Sequence, residues 1–365
     1  MDSIKILGFE ITELNINLKK PFITALRRVD SITDILVKIH TSTDIVGYGE
    51  ACAVSAITGT TNAKVYKDLH EVIFPALLHE EINIHTIFTR LHSLNTSPEA
   101  RACVDIALYD ILAKISSLSL HKYLGAQNSF LQTDITISVN EASLMQKDSL
   151  EAVNSGFKIL KIKLDGDLDK NVSRLVSINA VIDDAISLRL DPNQALDLDT
   201  CLSMLSSIPL DKIECIEQPF KAEDFISMKA LKDKNIIPVL ADESLFSLED
   251  AQLLLKDEAI DLLNIKLMKS AGIFEAIKIA KLAKSYGKDC MIGSMLEGPI
   301  CLLAAVHFAL SQDNIIMADL DSPLYLKDHP LLEPFHLKID RIHLDEKEGL
   351  GVDSIIQDLQ IFPNS

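Results

Sequence analysis

The chain has 365 residues, of which 48% are hydrophobic and 24% are charged, and its formal net charge is −18. This length allows one barrel of about 200–250 residues together with a smaller domain. The composition is typical of a globular protein, and the strong negative charge argues against nucleic acid and an anionic membrane as partners.

The chain shows no sign of export or membrane insertion. Its first residues, MDSIKILGFE, lack a basic segment followed by an apolar one. No uninterrupted apolar stretch approaches the length of a membrane span. The six cysteines are widely spaced without a CxxC pair, which favours buried free thiols over a disulfide framework. We therefore expect a cytoplasmic protein.

The first part of the chain predicts a small α+β domain. Apolar and polar residues alternate over residues 4–18 and 31–40, and the segment IVGYGEA follows, which is typical of an antiparallel meander. An apolar stripe with a 3.6-residue period over residues 61–78 predicts a helix. Ser97 and Pro98 are suited to the N-cap and first position of a second helix, which we expect to continue to about Leu118.

From about residue 133 to residue 321, short apolar strands alternate with amphipathic helical segments, which predicts a parallel sheet with right-handed crossovers. The expected strand ends succeed one another at intervals of 24 to 28 residues, the length of one strand, one helix and two loops. Eight such ends predict a (β/α) barrel whose strand C-termini converge on one mouth. The residues at these ends are Thr136, Lys163, Asp191, Glu217, Asp242, Lys266, Gly293 and Asp319.

Lysines end two of the predicted strands. In ILKIKLDGD, Lys161 and Lys163 are two residues apart and share one strand face, which in a barrel is the interior. Two ammonium groups there repel, so we expect each to depress the pKa of the other and to make one a neutral base. The alternative is a pair of solvated lysines on an edge strand. Lys266 ends another strongly apolar strand, where a buried lysine needs a partner.

Three carboxylates end the consecutive strands between those lysines: Asp191, Glu217 and Asp242. Each alone could be a helix cap or a surface acid. Together they predict a metal site, because converging carboxylates need a cation and oxygen ligands favour Mg²⁺. Asn193 and Asn264 are predicted to support these ligands from the second coordination layer.

The arrangement predicts proton transfer beside a carboxylate. A metal on the central strands would hold the substrate carboxylate and stabilise the charge that forms when the neighbouring C–H loses its proton. A lysine on one face removes the proton, and a lysine on the other face delivers one. The expected outcome is racemisation or epimerisation by 1,1-proton transfer.

The motifs KIK, DPN, EQP, ADES and NIKLMKSAG, in this order, resemble the muconate-lactonising subgroup of the enolase superfamily over nearly the whole chain. The resemblance implies a (β/α)7β modified TIM barrel over residues 126–324 and an N-terminal α+β capping domain over residues 1–125, completed by the tail 325–365. It also implies acid/base catalysis by Lys163 and Lys266, contact of Lys161 with the substrate carboxylate, one Mg²⁺ per subunit, and often a homo-oligomer. The metal ligands by this resemblance are Asp191, Glu217 and Asp242.

Asp319 and Asp321 lie two residues apart at the end of the last predicted strand, so both face the mouth, where two anions suit a cationic ligand group. The alternative is a turn before Pro323. The pair resembles the DxD signature of dipeptide epimerases, which binds the N-terminal amine of a dipeptide whose second residue is epimerised. N-acylamino-acid racemases and cycloisomerases of the same superfamily remain the alternative, although they do not need this pair.

The preferred side chain of the dipeptide stays open. Arg27 matches an arginine that contacts the glutamate side chain in Ala-Glu epimerases, but it could instead pair with Asp30 or Glu297. The apolar residues 298–300 after the seventh strand would favour Ala-Ala or another small hydrophobic dipeptide. Thr136 either forms a hydrogen bond with the substrate or is simply a polar residue at the end of a strand.

Two other classes of protein share a barrel with buried lysines. A Schiff-base aldolase needs one desolvated lysine and no metal, so the three carboxylates count against it. A catalytically inactive binding barrel is disfavoured because a candidate is present for every role.

Overall fold

The computed structural model describes residues 3–23, 28–126, 128 and 130–362. Arg27, the residue predicted to contact a glutamate side chain, lies outside the described residues. Among the described residues, no helix combines the length and the hydrophobicity needed to cross a membrane.

The N-terminal part contains the predicted meander. Strands β1 (Ile6–Ile23), β2 (Arg28–Thr41) and β3 (Val46–Ala51) form an antiparallel sheet in the order β1-β2-β3. Its helices are α1 (Ser55–Thr58), α2 (Asn62–Asp68), α3 (Phe74–Leu77), α4 (Ile87–His92), α5 (Pro98–Ile115) and α6 (Leu120–Tyr123). Helix α5 crosses the sheet so closely that a Cβ added to Gly49 would lie 1.9 Å from the Cys103 carbonyl oxygen. The meander prediction is confirmed.

Two helix predictions are correct in position but not in detail. The helix expected over residues 61–78 is interrupted by a π-helical turn, Leu69–Ile73, between α2 and α3. Ser97 is the N-cap residue of α5, but its side chain makes no capping hydrogen bond. Its backbone N–H instead donates to Asp68 Oδ2 at 2.7 Å, so a carboxylate from α2 satisfies this helix end.

The barrel follows. After the short strand β4 (Phe130–Gln132), eight parallel strands pair in chain order and alternate with seven helices. The strands are β5 (Ile135–Ile137), β6 (Ile159–Lys163), β7 (Ser187–Asp191), β8 (Ile213–Glu217), β9 (Val239–Ala241), β10 (Leu262–Ile265), β11 (Asp289–Gly293) and β12 (Ile315–Asp319). The helices are α7 (Ala142–Asn154), α8 (Leu168–Asn179), α9 (Leu198–Ser206), α10 (Phe225–Lys232), α11 (Leu248–Lys256), α12 (Ile273–Ser285) and α13 (Pro299–Leu310). The predicted (β/α)7β barrel is confirmed.

Alternation along the strands separates the two faces of the barrel wall. On β6, Leu160 and Ile162 are fully buried in the main hydrophobic core, whereas Lys161 and Lys163 point to the interior. Inside the barrel, a second apolar cluster consists of Cys215, Leu240, Met291 and Met317. Charged side chains lie above this cluster, toward the strand C-termini. The upper interior is therefore ionic, and the lower interior combines this apolar cluster with the buried ion pair of Arg189 and Asp134.

The C-terminal tail consists of α14 (Ser322–Tyr325), a 3₁₀ turn at Pro330–Leu332, β13 (Phe335–Lys338), β14 (Arg341–Leu344) and α15 (Asp353–Asp358). Strands β13 and β14 form a sheet with β4, which precedes the barrel. The tail also contacts the N-terminal part, since Lys114 Nζ lies 2.8 Å from Asp353. These contacts agree with a tail that completes the cap, and the predicted domain boundaries stay a proposal.

Candidate active site

The predicted site residues meet at the C-terminal mouth of the barrel. A cavity of about 60 Å³ lies there, which accommodates a few water molecules. Of the predicted residues, those that line the cavity are Thr136, Lys161, Lys163, Asn193, Asp242, Lys266, Asp319 and Asp321. Asp191 and Glu217 lie below it, fully buried.

Lys161 is at the centre of the ionic network and is 1% exposed. Its Nζ lies 3.0 Å from Asp191 Oδ2, 2.6 Å from Glu217 Oε2 and 2.7 Å from Asp319 Oδ2. Burial lowers the pKa of Lys161, but these carboxylates overcome that effect and raise the pKa well above its ordinary value. The expectation that the neighbouring lysine depresses this pKa is wrong, because the carboxylates are closer and more numerous than the sequence indicated.

The two predicted acid/base lysines lie on opposite sides of the mouth. Lys163 ends β6, and Lys266 directly follows β10, four strands further around an eight-strand barrel. Lys163 Nζ lies 2.5 Å from Asp191 Oδ2 and 3.0 Å from Asn193 Oδ1. Lys266 Nζ lies 2.8 Å from Asp242 Oδ2, and this carboxylate raises the lysine pKa despite the opposing effect of burial. A ligand between them would have one nitrogen on each face.

The three predicted metal ligands suit a hard divalent cation. Glu217 Oε1 accepts a hydrogen bond from Asn264 Nδ2 at 2.8 Å, whereas its buried Oε2 lacks a hydrogen bond of good geometry. Burial, followed by the negative charge of Asp191, raises the pKa of Glu217 to about 8. Because burial and the neighbouring negative charge disfavour the ionised form of this carboxylate, a bound cation would stabilise it. Oxygen donors at the ends of β7 and β8 and just after β9 fit Mg²⁺.

Ammonium groups stand between these carboxylates in the structure. Among the residues that it describes, the tight acidic cluster, with ligand oxygens within 4.8 Å of one another, is formed instead by Asp134, Asp319 and Asp321. A cation bound by Asp191, Glu217 and Asp242 must therefore displace lysine contacts as the carboxylates converge.

Lys269 and Glu243 belong to the site but were missing from the sequence-based predictions. Lys269 Nζ lies 2.5 Å from Asp242 Oδ1 and 2.6 Å from its carbonyl oxygen. Glu243 accepts a hydrogen bond from Asn193 Nδ2 at 3.2 Å, and burial together with Asp242 raises its pKa to about 7. The second lysine of the segment KLMK was the available signal for Lys269. For Glu243, the signal was the ADES motif itself.

The predicted amine-binding pair lies at the end of β12. Asp319 pairs with Lys161, and Asp321 Oδ2 accepts hydrogen bonds from the Thr136 backbone N–H at 2.7 Å and from the Tyr325 hydroxyl at 3.1 Å. Burial, followed by the charge of Asp319, raises the pKa of Asp321 to about 6. Tyr325 was not predicted from the sequence. Residues of the first two barrel strands and of α14 thus hold the pair, which faces the cavity.

The apolar side of the cavity differs from the prediction. Ile57 of α1 and the loop residues Met295 and Leu296 line it, whereas residues 298–300 do not. The reason is that carboxylates of the cap hold the start of α13: Gly298 N–H donates to Asp34 Oδ2 at 2.8 Å, and Ile300 N–H donates to a Glu50 oxygen at 2.8 Å.

Glu297 was a predicted alternative partner of Arg27, and this pairing stays a prediction because Arg27 lies outside the described residues. Glu297 is buried, accepts a hydrogen bond from the Met295 backbone N–H at 3.0 Å, and has a pKa raised to about 8, chiefly by burial. Asp30, the other alternative, lies 3.3 Å from Arg28.

A parallel barrel with two opposed lysines and buried carboxylates at its mouth, closed by an α+β cap, defines a proton-transferring enzyme of the enolase superfamily. Residues 7–125 match the mandelate racemase / muconate lactonizing enzyme N-terminal domain, and residues 145–356 match the enolase C-terminal domain-like family. The chain belongs to this family of mandelate racemase and muconate lactonizing enzymes.

Its relatives are similar over nearly their whole length. An L-Ala-D/L-Glu epimerase from Clostridium acetobutylicum is 39% identical, over 94% of this chain and 98% of that protein. The structure of a substrate-liganded complex of the L-Ala-D/L-Glu epimerase from Bacillus subtilis has a TM-score of 0.90 at 35% identity, over 95% and 98% of the two chains. A dipeptide epimerase from Enterococcus faecalis V583, complexed with Mg and the dipeptide L-Leu-L-Tyr, has a TM-score of 0.90 at 34% identity, over 95% and 99%.

Proposed function

We propose that the protein is a Mg²⁺-dependent dipeptide epimerase that inverts the α-carbon of the C-terminal residue by two-base 1,1-proton transfer through an enolate. It is an isomerase. The observation that carries this proposal is the placement of Lys163 and Lys266 on opposite sides of one mouth that also contains Asp319 and Asp321. Relatives that bind or act on dipeptides support it.

The two lysines exchange roles with the direction of the reaction. The neutral amine on one face removes the α-proton, and the ammonium on the other face returns a proton to the opposite side. In the structure Lys163 contacts Asp191 and Lys266 contacts Asp242, and the Asp242 carboxylate raises the pKa of Lys266. A lysine can become a base once its carboxylate partner is otherwise neutralised.

Asp191, Glu217 and Asp242 are the residues we propose to hold Mg²⁺. When bound, the ion supplies positive charge that orients the substrate carboxylate and stabilises the negative charge developing beside it. Asn264 fixes Glu217 by a hydrogen bond at 2.8 Å, and Lys269 fixes Asp242. We propose that Lys161 contacts the substrate carboxylate after it is displaced from these acids.

Asp319 and Asp321 favour a dipeptide over the alternative substrates. Both are buried and acidic, and in this proposal they accept hydrogen bonds from the N-terminal ammonium group. An N-acylamino acid or a cycloisomerase substrate carries no cation to place there. The hydroxyl of Thr136 lies beside this subsite, and we propose that it hydrogen-bonds the substrate.

The preferred side chain of the dipeptide depends on the residues that surround the cavity. Ile57, Met295 and Leu296 form an apolar surface at the cavity, which favours an apolar side chain such as that of Ala-Ala or another hydrophobic dipeptide. A role for Arg27 would favour Ala-Glu instead. Relatives of both kinds are similar to this chain.

The decisive experiment is deuterium incorporation from D₂O into a dipeptide library, with Mg²⁺ and with excess chelator. We expect exchange at the α-carbon of the second residue only when Mg²⁺ is present. A preference for hydrophobic second residues would support the apolar surface, and a preference for glutamate would support Arg27. Exchange into no dipeptide would reject the proposed function, and exchange confined to N-acylated amino acids would favour the racemase.

The amine subsite is tested by Asp321→Asn. The substitution removes a charge that would face the ammonium group, so we expect the KM for a dipeptide to rise about 10- to 100-fold, as for loss of a buried charged hydrogen bond. The change in kcat should be smaller, because the reacting carbon is at the other residue. Steady-state kinetics measure both constants. Asp340→Asn, a buried aspartate of the tail, is the control, and an unchanged KM in Asp321→Asn would contradict the assignment.

Two further predictions from the sequence remain proposals. We propose a cytoplasmic location, as the sequence predicts, and all six cysteines are buried. A homo-oligomer is expected from the family resemblance.

A further inference from the structure

Two buried charged residues without an assigned role, Asp134 and Arg189, lie beneath the amine-binding pair. Asp134 directly precedes β5 and is fully buried, and Arg189 points into the barrel from β7, two residues before Asp191. Arg189 Nη1 lies 2.8 Å from Asp134 Oδ2. On its other side, Arg189 Nε lies 2.9 Å from Glu214 Oε2, next to a cavity of about 660 Å³ at the opposite end of the barrel.

These residues lie where the first and last barrel strands meet. The described contacts at this seam include hydrogen bonds from Asp134 N–H to the Ala318 carbonyl at 3.3 Å and from Leu320 N–H to Thr133 Oγ1 at 2.9 Å. Arg189 Nη1 also donates to the Ala318 carbonyl, at 2.8 Å. Ala318 directly precedes Asp319. One guanidinium therefore holds the strand that carries the amine-binding pair and the residue that begins the first strand.

Arg189 and Lys161 offset the negative charge of the three aspartates in this region. Carboxylate oxygens of Asp134, Asp319 and Asp321 lie within 4.8 Å of one another, so the three side chains repel when ionised. Burial and then Asp319 raise the pKa of Asp134 well above its ordinary value, and Arg189 opposes this effect. An arginine keeps its charge in such surroundings. Lys161 pairs with Asp319, and Arg189 pairs with Asp134.

We propose that Arg189 and Asp134 are positioning residues that hold Asp319 and Asp321 at the spacing and charge needed to bind the α-ammonium group of a dipeptide. The inference rests on the proposed epimerase function. Neither residue contacts the substrate. Their effect passes through the amine-binding pair, so they determine selectivity for substrates with a free amine and leave the proton-transfer lysines unaffected.

The test compares a dipeptide that the wild-type enzyme epimerises with its desamino analogue, which lacks the α-amine. In Arg189→Met we expect kcat/KM for the dipeptide to fall about 10- to 100-fold, mainly through KM, as for loss of a partner in a buried ionic network. The kcat/KM for the analogue should change by less than about threefold. The variant should therefore lose most of the wild-type preference for the dipeptide over its analogue. Asp134→Asn preserves side-chain shape, should shift the same ratio, and serves if Arg189→Met does not fold.

A double-mutant cycle that combines Arg189→Met with Asp321→Asn tests how Arg189 affects binding of the amine. If Arg189 acts through the amine-binding pair, the losses caused by Arg189→Met and Asp321→Asn should not add, because the second substitution removes what the first disturbs. Arg174→Met is the matched control: this arginine is also buried and paired with an aspartate, at 2.8 Å, but lies on helix α8. We expect it to preserve the preference for the amine.

Equal losses for the dipeptide and its analogue, or an additive cycle, would overturn the inference and indicate a purely structural role. A wild-type enzyme that exchanges no dipeptide would reject the proposed function and, with it, this inference. That result is seen before any variant is made, so the two failures are distinguishable.

Discussion

Replacement of Lys163 or Lys266 by alanine is expected to abolish epimerisation, with kcat reduced about 10²- to 10⁴-fold, the contribution of a positioned acid or base. Each variant retains one lysine and therefore one face on which a proton can be removed. We expect each to exchange the α-proton of one stereoisomer of the substrate without inverting it. The two variants should show opposite stereochemical preferences, because the lysines stand on opposite sides of the mouth.

The structure indicates that both variants should fold. Without Lys163, Asp191 keeps Lys161 at 3.0 Å, and without Lys266, Asp242 keeps Lys269 at 2.5 Å. Neither carboxylate is left buried without a cation, which is the situation that destabilises a protein strongly. Loss of activity can therefore be attributed to chemistry.

Proton NMR in D₂O, with each stereoisomer supplied separately, measures exchange and inversion at once. Lys170→Ala, at an exposed lysine of α8, is the control and should behave as the wild type does. Wild-type turnover in both catalytic variants, or exchange of the same stereoisomer by both, would contradict the two-base assignment.

The barrel was predictable because its sequence signals are local and repeated. Each strand is a short apolar run, each predicted end is a polar or small residue, and the interval between predicted ends is nearly constant. The positions of Lys163, Asp191, Glu217 and Gly293 at the last residue of their strands follow from that pattern. The opposition of the two lysines also follows, from strand number alone.

The pattern did not predict contacts made outside one strand–helix unit. Arg189 reaches Asp134 from a strand two positions away, and Tyr325 reaches Asp321 from α14, which lies beyond the last barrel strand. The charge state of Lys161 was mispredicted because strand periodicity places it beside Lys163 but does not measure its distance from three carboxylates.

The residues of the apolar surface were mispredicted for a related reason. Local apolarity at residues 298–300 was compatible with a cavity wall, but these residues start α13, and two cap carboxylates occupy their N–H groups. Gly298 approaches Glu50 so closely that an added Cβ would lie 1.9 Å from its Oε1. Only the folded cap and barrel together bring that carboxylate to the helix, so the sequence of the loop alone carries no signal of it.

Removal of Mg²⁺ with a chelator is expected to abolish activity and to reveal a pH-dependent stability to which Glu217 contributes. In the metal-free protein, burial and the charge of Asp191 raise the pKa of Glu217 from 4.5 to about 8. The folded chain therefore holds this proton more tightly than the unfolded chain does. The stabilisation is fully present below about pH 4.5 and is lost as pH rises through about 8.

The Glu217→Gln variant isolates the contribution of Glu217 to the pH dependence of stability. The amide cannot ionise, so the thermal midpoint of the metal-free variant should decline less than that of the wild type between pH 6 and pH 8. Mg²⁺ at 100 times its Kd should stabilise the wild type by about 2.7 kcal/mol and the variant far less. Because the chain has no tryptophan, calorimetry or circular dichroism is the suitable measurement. The exposed Glu151→Gln is the control.

Binding of Mg²⁺ should also release a proton from Glu217, so the affinity for the ion should increase as pH rises toward 8. Titration calorimetry in buffers of different ionisation enthalpy measures that release. If the metal-free stability of Glu217→Gln follows the same pH dependence as that of the wild type, the raised pKa of Glu217 is contradicted. If Glu217→Gln binds Mg²⁺ as tightly as the wild type does, Glu217 is not a ligand. The acidic cluster of Asp134, Asp319 and Asp321 would then have to bind the ion. In that case the amine-binding assignment would fail as well, because one set of carboxylates cannot hold both cations.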